Sequence, residues 1–357
     1  SGTPFWTTPQ AKNTVEGYDG RSKCHRCNTC EICPTGARYS PDFTFRRLLE
    51  REAFQLHDRT LIRRLVMADE GTRIVAAEAV REDAPEETIE YRAPRFVLAA
   101  GYCWSPALLL ASANARFPDG LANRSGNVGR YMSGHLGYQA WIDLDLELYP
   151  GMNEQHSLVS RRFLRCATDT PYVRHDLRVW ESAEEREPRL RDAKGRLLMG
   201  DALLAEWRSR AKRGTARVRG YYDTHPDRES RVVLDPARRN RWGDALPTIT
   251  HKPDAGTEAR AASTRAHFEA LFGELARAND GKLLRIAPTG YQDHPCGGCR
   301  MGEDPASSVV DSHGRSHDHE NLWVVGAPTL PTGGCTNGTL TFVALTLRSA
   351  EALAKAG

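Results

Sequence analysis

Residues 294–353 read HPCGGCRMGEDPASSVVDSHGRSHDHENLWVVGAPTLPTGGCTNGTLTFVALTLRSAEAL. Within this stretch the apolar run Leu322–Val325 predicts a buried strand, and a loop rich in proline and glycine follows it. From about Leu340 to Ala356 the spacing of apolar residues predicts a helix. The stretch therefore predicts a strand, a loop and a helix, with glycine-rich segments at residues 294–302 and 331–340.

The same order of elements occurs earlier, in residues 90–113. Glu90–Leu98 ends as a buried strand, and Ala99, Ala100 and Gly101 follow it as a turn. Pro106–Ala113 predicts a helix that begins at its proline, where the missing N–H costs nothing. Strand, glycine turn and helix form the repeating unit of α/β folds, so the sequence predicts that class.

The rest of the chain alternates strand-like and helical patterns. A charged stretch, Glu181–Arg213, predicts a largely helical and exposed segment. Asp42 is the predicted N-cap of a helix. The remaining predicted elements are helices over Asp42–Gln55 and Gly256–Asn279 and strands over Thr60–Met67, Arg73–Val80, Arg231–Leu234 and Leu246–His251.

Composition narrows the function classes. The 357 residues include 49 Lys+Arg and 46 Asp+Glu, a formal charge of +3, which gives no support for a nucleic-acid binder. With 40% hydrophobic and 27% charged residues, the chain is typical of a globular protein. No run reaches the ~18 apolar residues of a membrane span, and the length predicts about two domains.

Four of the nine cysteines lie in one short run, CHRCNTCEICP at residues 24–34. Cys24, Cys27, Cys30 and Cys33 follow the spacing C-x2-C-x2-C-x2-C-P, which approximates the bacterial ferredoxin pattern and favours an iron–sulfur cluster. Zinc is the second alternative, since its sites usually separate two cysteine pairs by a longer spacer. A loop without metal is the third, and His25 is interpreted as a bystander.

The segment at residues 294–302 contains a histidine and a C-x-x-C pair. Cys296 and Cys299 are candidates for a redox pair, because this spacing lowers thiol pKa values. The alternative, which the sequence favours, is that they are small residues in a tight turn. Neither His294 nor the cysteine pair identifies a function alone.

Taken together, residues 294–353 resemble the C-terminal signature of the glucose–methanol–choline (GMC) flavin oxidoreductases. In that family a His opens an H-x-x-G-[ST]-x-R-M-G-like run, and an Asn lies in a later N-x-T-L-T run. Here Gly298 replaces the hydroxyl residue, and Gly326 replaces an Asp that many relatives carry. Residues 95–135, RFVLAAGYCWSPALLLASANARFPDGLANRSGNVGRYMSGH, resemble a second block of the family.

This resemblance implies an FAD enzyme that oxidises an alcohol or sugar hydroxyl by hydride transfer to the flavin. His294 corresponds to the base that takes the hydroxyl proton, and Asn337 to the residue that positions the hydroxyl. The residues that correspond to the family's flavin contacts are Ala100, Gly101, Gly326, Ala327 and Thr339.

Residues 8–39 resemble the iron–sulfur region of bacterial FAD-dependent glucose dehydrogenase catalytic subunits, which pass electrons to cytochrome c. In those subunits three cysteines hold a 3Fe–4S cluster, and Cys24, Cys30 and Cys33 correspond to them. The last gap is one residue shorter here, and Cys27 is a candidate fourth ligand, so a 4Fe–4S cluster stays open. The relatives imply a cytochrome c subunit, a small subunit with the export signal, and a periplasmic location, with the cytoplasm as alternative.

The family's G-x-G-x-x-G fingerprint does not occur in these 357 residues. The sequence therefore predicts an α/β flavin domain that lacks its N-terminal Rossmann portion, and an α+β substrate domain with an antiparallel sheet. The predicted flavin domain comprises residues 1–140, with the iron–sulfur loop at 20–38, and 286–357. The substrate domain comprises 141–285. Two further classes remain alternatives: a non-catalytic iron–sulfur electron-transfer or scaffold subunit, and a zinc-stapled binding module.

Overall fold

The structure is a computed structural model. It describes residues 2–8, 10–27, 30–144, 158–165, 170–181, 188–211, 214–290 and 294–355. The chain forms two compact units. The six-stranded unit comprises Ser1–Leu56, Gly137–Tyr221 and Ala262–Pro288, and the parallel-pair unit comprises His57–Leu136, Tyr222–Ala261 and Thr289–Gly357.

The described part of the chain contains six α-helices and thirteen strands. The helices are α1 (Pro41–Leu49), α2 (Gly101–Ala111), α3 (Gly200–Ala211), α4 (Ala255–Ala259), α5 (Ala261–Arg277) and α6 (Thr339–Lys355). The strands are β1 (Trp6–Thr7), β2 (Thr60–Met67), β3 (Ile74–Arg81), β4 (Thr88–Arg92), β5 (Phe96–Leu98), β6 (Leu136–Leu144), β7 (Leu158–Ser160), β8 (Leu177–Glu181), β9 (Gly214–Tyr222), β10 (Arg231–Arg239), β11 (Ala245–Thr250), β12 (Lys282–Thr289) and β13 (Leu322–Val324). None of these helices has the length and apolar character needed to cross a bilayer.

The six-stranded unit is built on one sheet with the strand order β1-β7-β8-β9-β6-β12. The pairs β1–β7, β7–β8 and β8–β9 are antiparallel, which confirms the predicted antiparallel sheet. Helix α5 packs on this sheet through Phe268, whose ring lies 5.5 Å from that of Tyr138 on β6. A Cβ at Gly220 on β9 would collide with Phe268, so the glycine permits this close approach.

The parallel-pair unit contains an antiparallel meander β2-β3-β4, a β10–β11 hairpin and the parallel pair β5–β13. Its core forms where α2 and the strands bury their apolar side chains. The largest fully buried members of this core are Ile74, Leu109, Leu121 and Leu322. Burial of each such side chain stabilises the fold by roughly 1.5–3 kcal/mol.

Two helix starts differ from the predictions. Helix α1 begins at Pro41 after Ser40, so the prediction of Asp42 as N-cap is wrong. Helix α2 begins at Gly101, and Pro106 lies inside it rather than at its start. A proline five residues into a helix leaves only one carbonyl of the first turn without its usual partner, so the helix extends back to the glycine turn.

The predicted helix Gly256–Asn279 is two helices. Asp254 caps α4 by accepting a hydrogen bond from the Thr257 N–H at 2.7 Å. Arg260 then leaves the helical region, with φ −97° and ψ 2°, and α5 begins at the next residue. About half of the predicted Glu181–Arg213 segment is helical where it is described: α3 spans Gly200–Ala211, and residues 182–187, 212 and 213 lie outside the described residues.

The two units change over five times, and two of the changeovers, after Leu136 and after Pro288, lie within a few residues of the predicted domain limits at 140/141 and 285/286. The predicted domain 141–285 is interrupted, because Tyr222–Ala261 groups with the parallel-pair unit. The first 56 residues group with the six-stranded sheet, because β1 pairs with β7. Compactness alone does not identify what each unit binds, so the division into flavin and substrate domains stays a prediction.

Candidate active site and cysteine loop

The carboxyl ends of β5 and β13 lie side by side, because the strands are parallel and Leu98 is paired with Val324. Ligands of open α/β sheets bind outside the carboxyl ends of the strands. Four of the five predicted flavin contacts follow these ends directly: Ala100 and Gly101 after β5, and Gly326 and Ala327 after β13. The structure brings these four residues to one edge of the parallel pair.

The N-terminus of α2 opens at this edge. Its N-cap, Ala100, makes no side-chain hydrogen bond to the helix, so the first backbone N–H groups lack a side-chain cap. Gly101 has φ +78°, and a Cβ there would meet nothing within 4 Å. An uncapped helix N-terminus beside open space fits a phosphate-bearing cofactor, because the N–H groups and the helix dipole favour an anion.

Gly326 and Thr339 complete the predicted set. Gly326 has φ +85° and ψ −151°, a conformation that glycine adopts readily and other residues rarely do. It precedes a 3-10 turn at Ala327–Thr329. Thr339 is exposed and is the first residue of α6. The open space at Gly101 and the exposure of Thr339 leave room for a cofactor, and the contacts of all five residues with the flavin stay predictions.

The segment that carries His294 runs beside this turn. Gly297 N donates to Ala327 O at 3.1 Å, and Cys299 N donates to Pro328 O at 2.9 Å. His294 is half-buried and has φ +49°, an uncommon left-handed backbone for a residue with a side chain. The predicted base therefore belongs to a segment that is hydrogen-bonded to the predicted flavin edge.

The loop that carries Asn337 meets the same segment. A Cβ at Gly333 would lie 3.5 Å from the Cys296 Sγ, so the two glycine-rich segments are in contact. Asn337 is exposed, close to the start of α6. The structure thus brings the segments of His294 and Asn337 together within the parallel-pair unit, while the roles of the two side chains stay predictions.

Sequence reasoning missed a second histidine in this site. The His135 ring is fully buried and lies 5.0 Å from the ring of His294, between centroids. His135 ends the second resemblance block quoted above, but no spacing rule connects it with a residue so distant along the chain.

The C-x-x-C pair is part of the packed core of this site. Both thiols are free and fully buried. Burial raises the pKa of Cys296 to about 12, with a smaller contribution from the Asp223 carboxylate, and burial also raises that of Cys299. Since thiol–disulfide exchange requires a thiolate, the geometry favours the interpretation as small residues in a tight turn.

Gly298, where the family carries a hydroxyl residue, is tightly enclosed. Its φ is +94°, and a Cβ would lie 2.9 Å from both the Met132 Sδ and the Pro106 Cγ. The departure from the family pattern therefore has a local cause: this turn has no room for a side chain.

The cysteine loop lies in the six-stranded unit and is held by a buried arginine. Arg21 donates through Nη1 to Gly36 O at 3.2 Å and through Nη2 to the Asn13 Oδ1 at 3.0 Å. Asn13 O in turn accepts from Cys24 N at 2.8 Å. These bonds tie both ends of the loop to one polar core.

All four cysteines of the run line a single pocket of about 320 Å³, counting its part open to solvent. None of the four forms a disulfide with a described residue; Cys30 is buried, Cys24 and Cys33 are half-buried, and Cys27 is exposed. Lys12 contributes an ammonium group to the pocket, with Nζ 2.6 Å from the Cys30 Sγ. Thiols that share one pocket are a donor set that fits a small inorganic cluster.

The loop favours the thiolate form of Cys33. The Arg38 backbone N–H donates to the Cys33 Sγ at 3.5 Å, and this bond, with a smaller one from Thr35, lowers the pKa of Cys33 to about 7. Among the described residues, which omit 28 and 29, no three His, Cys, Asp or Glu side chains are placed to hold a single metal ion.

Comparison with known proteins gives the family. Its N-terminal model, GMC oxidoreductase, matches residues 9–136, and its C-terminal model matches residues 208–346. The N-terminal region of the family is therefore represented in this chain, and the expectation that it is lacking is corrected to that extent. The G-x-G-x-x-G fingerprint itself is not in the sequence.

Individual relatives agree with these matches. The chain is 30% identical to the fructose dehydrogenase large subunit of Gluconobacter japonicus, over 99% of this chain and 63% of that protein. It is 29% identical to the paromamine 6'-oxidase of Streptomyces fradiae, over 98% of this chain and 62% of that protein. The chain thus spans less than two thirds of the length of these relatives.

The fold matches as well. The crystal structure of pyridoxine 4-oxidase from Mesorbium loti superposes with a TM-score of 0.51 and 21% identity, covering 82% of this chain and 56% of that one. Two matching models of one family, the relatives above and the converging glycine-rich segments all agree, and this chain belongs to the GMC oxidoreductase family.

Proposed function

We propose that this protein acts as an FAD-dependent dehydrogenase that oxidises a hydroxyl group of a sugar or an alcohol. The observation that carries the proposal is the meeting of the His294 segment with the turn after β13, at the carboxyl edge of the parallel pair. The printed names of the relatives support the substrate class, since they include a fructose dehydrogenase and a paromamine oxidase.

The roles of the side chains follow from their chemistry. A neutral imidazole near physiological pH accepts a proton, so His294 takes the hydroxyl proton as the C–H bond breaks and the carbonyl forms. Asn337 donates or accepts a hydrogen bond without a charge of its own and orients the hydroxyl oxygen. Bound FAD supplies the acceptor for the hydride and its electron pair, while Ala100, Gly101, Gly326, Ala327 and Thr339 border it.

The cysteine loop has a role in the same proposal. Cys24, Cys30 and Cys33 hold an iron–sulfur cluster in the pocket they line, with Cys27 at the exposed rim. Such a group exchanges electrons one at a time, which suits delivery to a cytochrome c-type acceptor. The name of one relative, a large subunit, supports an assembly with further subunits. The resemblance to the glucose dehydrogenase subunits implies that these are a cytochrome and a small subunit with the export signal, in the periplasm.

The flavin domain requires a dinucleotide-binding part that carries the G-x-G-x-x-G fingerprint. We propose that this part is supplied by polypeptide outside the 357 residues. Exposed apolar side chains support this: Leu340, Val343 and Leu347 are 82%, 51% and 60% exposed and lie along one face of α6. Parallel sheets are normally covered on both faces, and the short β5–β13 pair is the nucleus of such a sheet.

The test is a comparison of electron acceptors in the holoenzyme. We expect sugar- or alcohol-dependent reduction of ferricenium, with reduction of oxygen far slower. His294→Gln should lower kcat by about 10²- to 10⁴-fold, the usual contribution of a general base. The matched control is His313→Gln, at an exposed histidine of the same unit, which should leave kcat unchanged.

Two results would overturn the proposal. Oxygen reduction as fast as ferricenium reduction would make the protein an oxidase. An unchanged kcat in His294→Gln would remove the base from the mechanism.

A further inference from the structure

The backbone segment before β6 runs antiparallel to the segment that carries His294. Ser133 N donates to Cys296 O at 2.8 Å, and Cys296 N donates to Ser133 O at 2.9 Å. The same antiparallel register sets His135, which comes two residues after Ser133, opposite His294, which comes two residues before Cys296. Their ring centroids are 5.0 Å apart, with the ring planes inclined at 59°.

The two histidines differ in how firmly they are held. His135 is 0% exposed, and the backbone before it is anchored, since the Thr224 Oγ1 donates to Gly134 O at 2.7 Å. His294 is half-buried, at the edge of the described residues, with its left-handed backbone at φ +49°. Backbone in this region is strained for a residue with a side chain and persists where surrounding contacts over-determine it.

We propose that His135 is a positioning residue for His294. Its buried ring packs against the His294 imidazole and fixes the orientation from which that imidazole takes the hydroxyl proton. This inference rests on the proposed function, in which His294 is the base. A misplacement of about 1 Å in a reacting group costs on the order of 10²-fold in rate, so a rigid ring behind the base has a large effect.

The neighbouring thiol does not compete for this role. Cys296 lies two residues from His294, and burial raises its pKa to about 12. It is therefore an uncharged group near neutral pH and adds no charge next to the imidazole. Ring packing by His135 is a contact with the His294 side chain itself.

The kinetic test uses two substitutions at one position in the holoenzyme. His135→Ala removes the ring, and we expect kcat to fall by about 10- to 100-fold with a smaller change in KM. His135→Phe keeps a ring of similar size and should restore most of kcat. Leu121→Ala, a core substitution in the same unit, is the control for lost stability: it should lower the Tm without this split between kcat and KM.

The second readout needs no activity. In the 357-residue chain labelled at histidine, the NMR signal of His294 is identified by its loss in His294→Gln. We expect this signal to move and broaden in His135→Ala, with an altered titration midpoint, and to stay sharp in His135→Phe.

Each outcome is decisive. If His135→Ala leaves kcat and the His294 signal unchanged, or if His135→Phe fails as badly as His135→Ala, the packing role is wrong. A wild-type holoenzyme without dehydrogenase activity would instead overturn the proposed function, while the NMR comparison would still show whether His135 orients His294.

Discussion

At the scale of single residues, Gly298 shows how a local constraint replaces a family feature. We expect Gly298→Ser, which restores the hydroxyl residue of the family, to destabilise the protein by roughly 1–3 kcal/mol, through a positive φ and contacts with Met132 and Pro106. Gly334→Ser is the control, because Gly334 also has a positive φ but nothing within 4 Å of its Cβ position. Thermal unfolding measures both, and equal losses would show that crowding at Gly298 is unimportant.

The cysteines of the loop offer a second test at this scale. We expect Cys24→Ser to abolish cluster binding, and Cys27→Ser to retain a cluster of three irons, because Cys27 lies at the exposed rim of the pocket. Iron and sulfide content and the electron paramagnetic resonance spectrum of the purified proteins measure this.

A loss of iron in both variants would establish four ligands and a 4Fe–4S cluster. Full iron content in both would contradict a cluster at this loop. Circular dichroism of each variant serves as the control for folding.

At the scale of elements, α6 exposes an apolar stripe although its other face is packed. Leu340, Val343 and Leu347 recur at spacings of three and four, whereas Ser349 on the opposite face is buried. The exposed apolar stripe is therefore a second face of α6 that we expect another part of the protein to cover.

This stripe leads to a prediction about stability. We expect Leu347→Lys to change the unfolding free energy of the 357-residue chain by less than about 0.5 kcal/mol, as for an exposed site. Leu109→Ala in the buried face of α2 should cost about 2–5 kcal/mol. In the holoenzyme, Leu347→Lys should lower the FAD content, with Thr341→Lys at an exposed position off the stripe as the control.

A large loss of stability in the chain itself would show that the stripe is already packed. Unchanged FAD content in the holoenzyme would show that the dinucleotide-binding part does not pack on this stripe of α6.

The spacing of apolar residues predicted those elements whose limits depend on neighbouring residues in the sequence. The strand Thr60–Met67 has the predicted bounds, and the helix predicted from Leu340 begins one residue earlier, at Thr339. The predicted starts of α1 and α2 were wrong. Capping of α1 and the tolerance of α2 for Pro106 in its interior depend on the geometry around the first turn of each helix. Arg260, which separates α4 from α5, carries no breaker signal of its own.

At the scale of the whole molecule, the six-stranded unit contains a titratable pair that limits its acid stability. His175 Nδ1 donates to Val173 O at 3.0 Å, so its Nε2 accepts from the His267 Nε2 at 3.3 Å. Burial lowers the pKa of His175 from 6.5 to about 4, and burial also lowers that of His267. Both rings are therefore neutral in the folded protein near pH 7.

The pH dependence follows from this direction. Below pH 6.5 the unfolded chain binds a proton at this histidine and the folded chain does not, so stability is lost as the pH falls from 6.5 towards 4. For His175 alone the loss between pH 7 and pH 5 is roughly 2 kcal/mol. We expect His175→Phe to reduce the difference in Tm between these pH values, and His313→Asn at an exposed site to leave it unchanged. An undiminished difference in His175→Phe would assign the acid lability to other groups.

The candidate site was predictable only as far as its residues resemble a family. The motifs identified His294, Asn337 and the flavin edge, but His135 came from the register between two segments that are far apart in sequence. The crowding at Gly298 depends on Met132 and Pro106 in the same way. Such contacts are properties of the folded chain, and one sequence does not encode them in a readable spacing.

The pairing of β5 with β13 has a consequence for biosynthesis. Strand β5 (Phe96–Leu98) is synthesised long before its parallel neighbour β13 (Leu322–Val324). Until then the exposed edge of β5 is an unpaired template for other strands. Loading of the nucleotide cofactor should therefore follow the synthesis of β13, and until then the unpaired edge of β5 is a place where aggregation can begin.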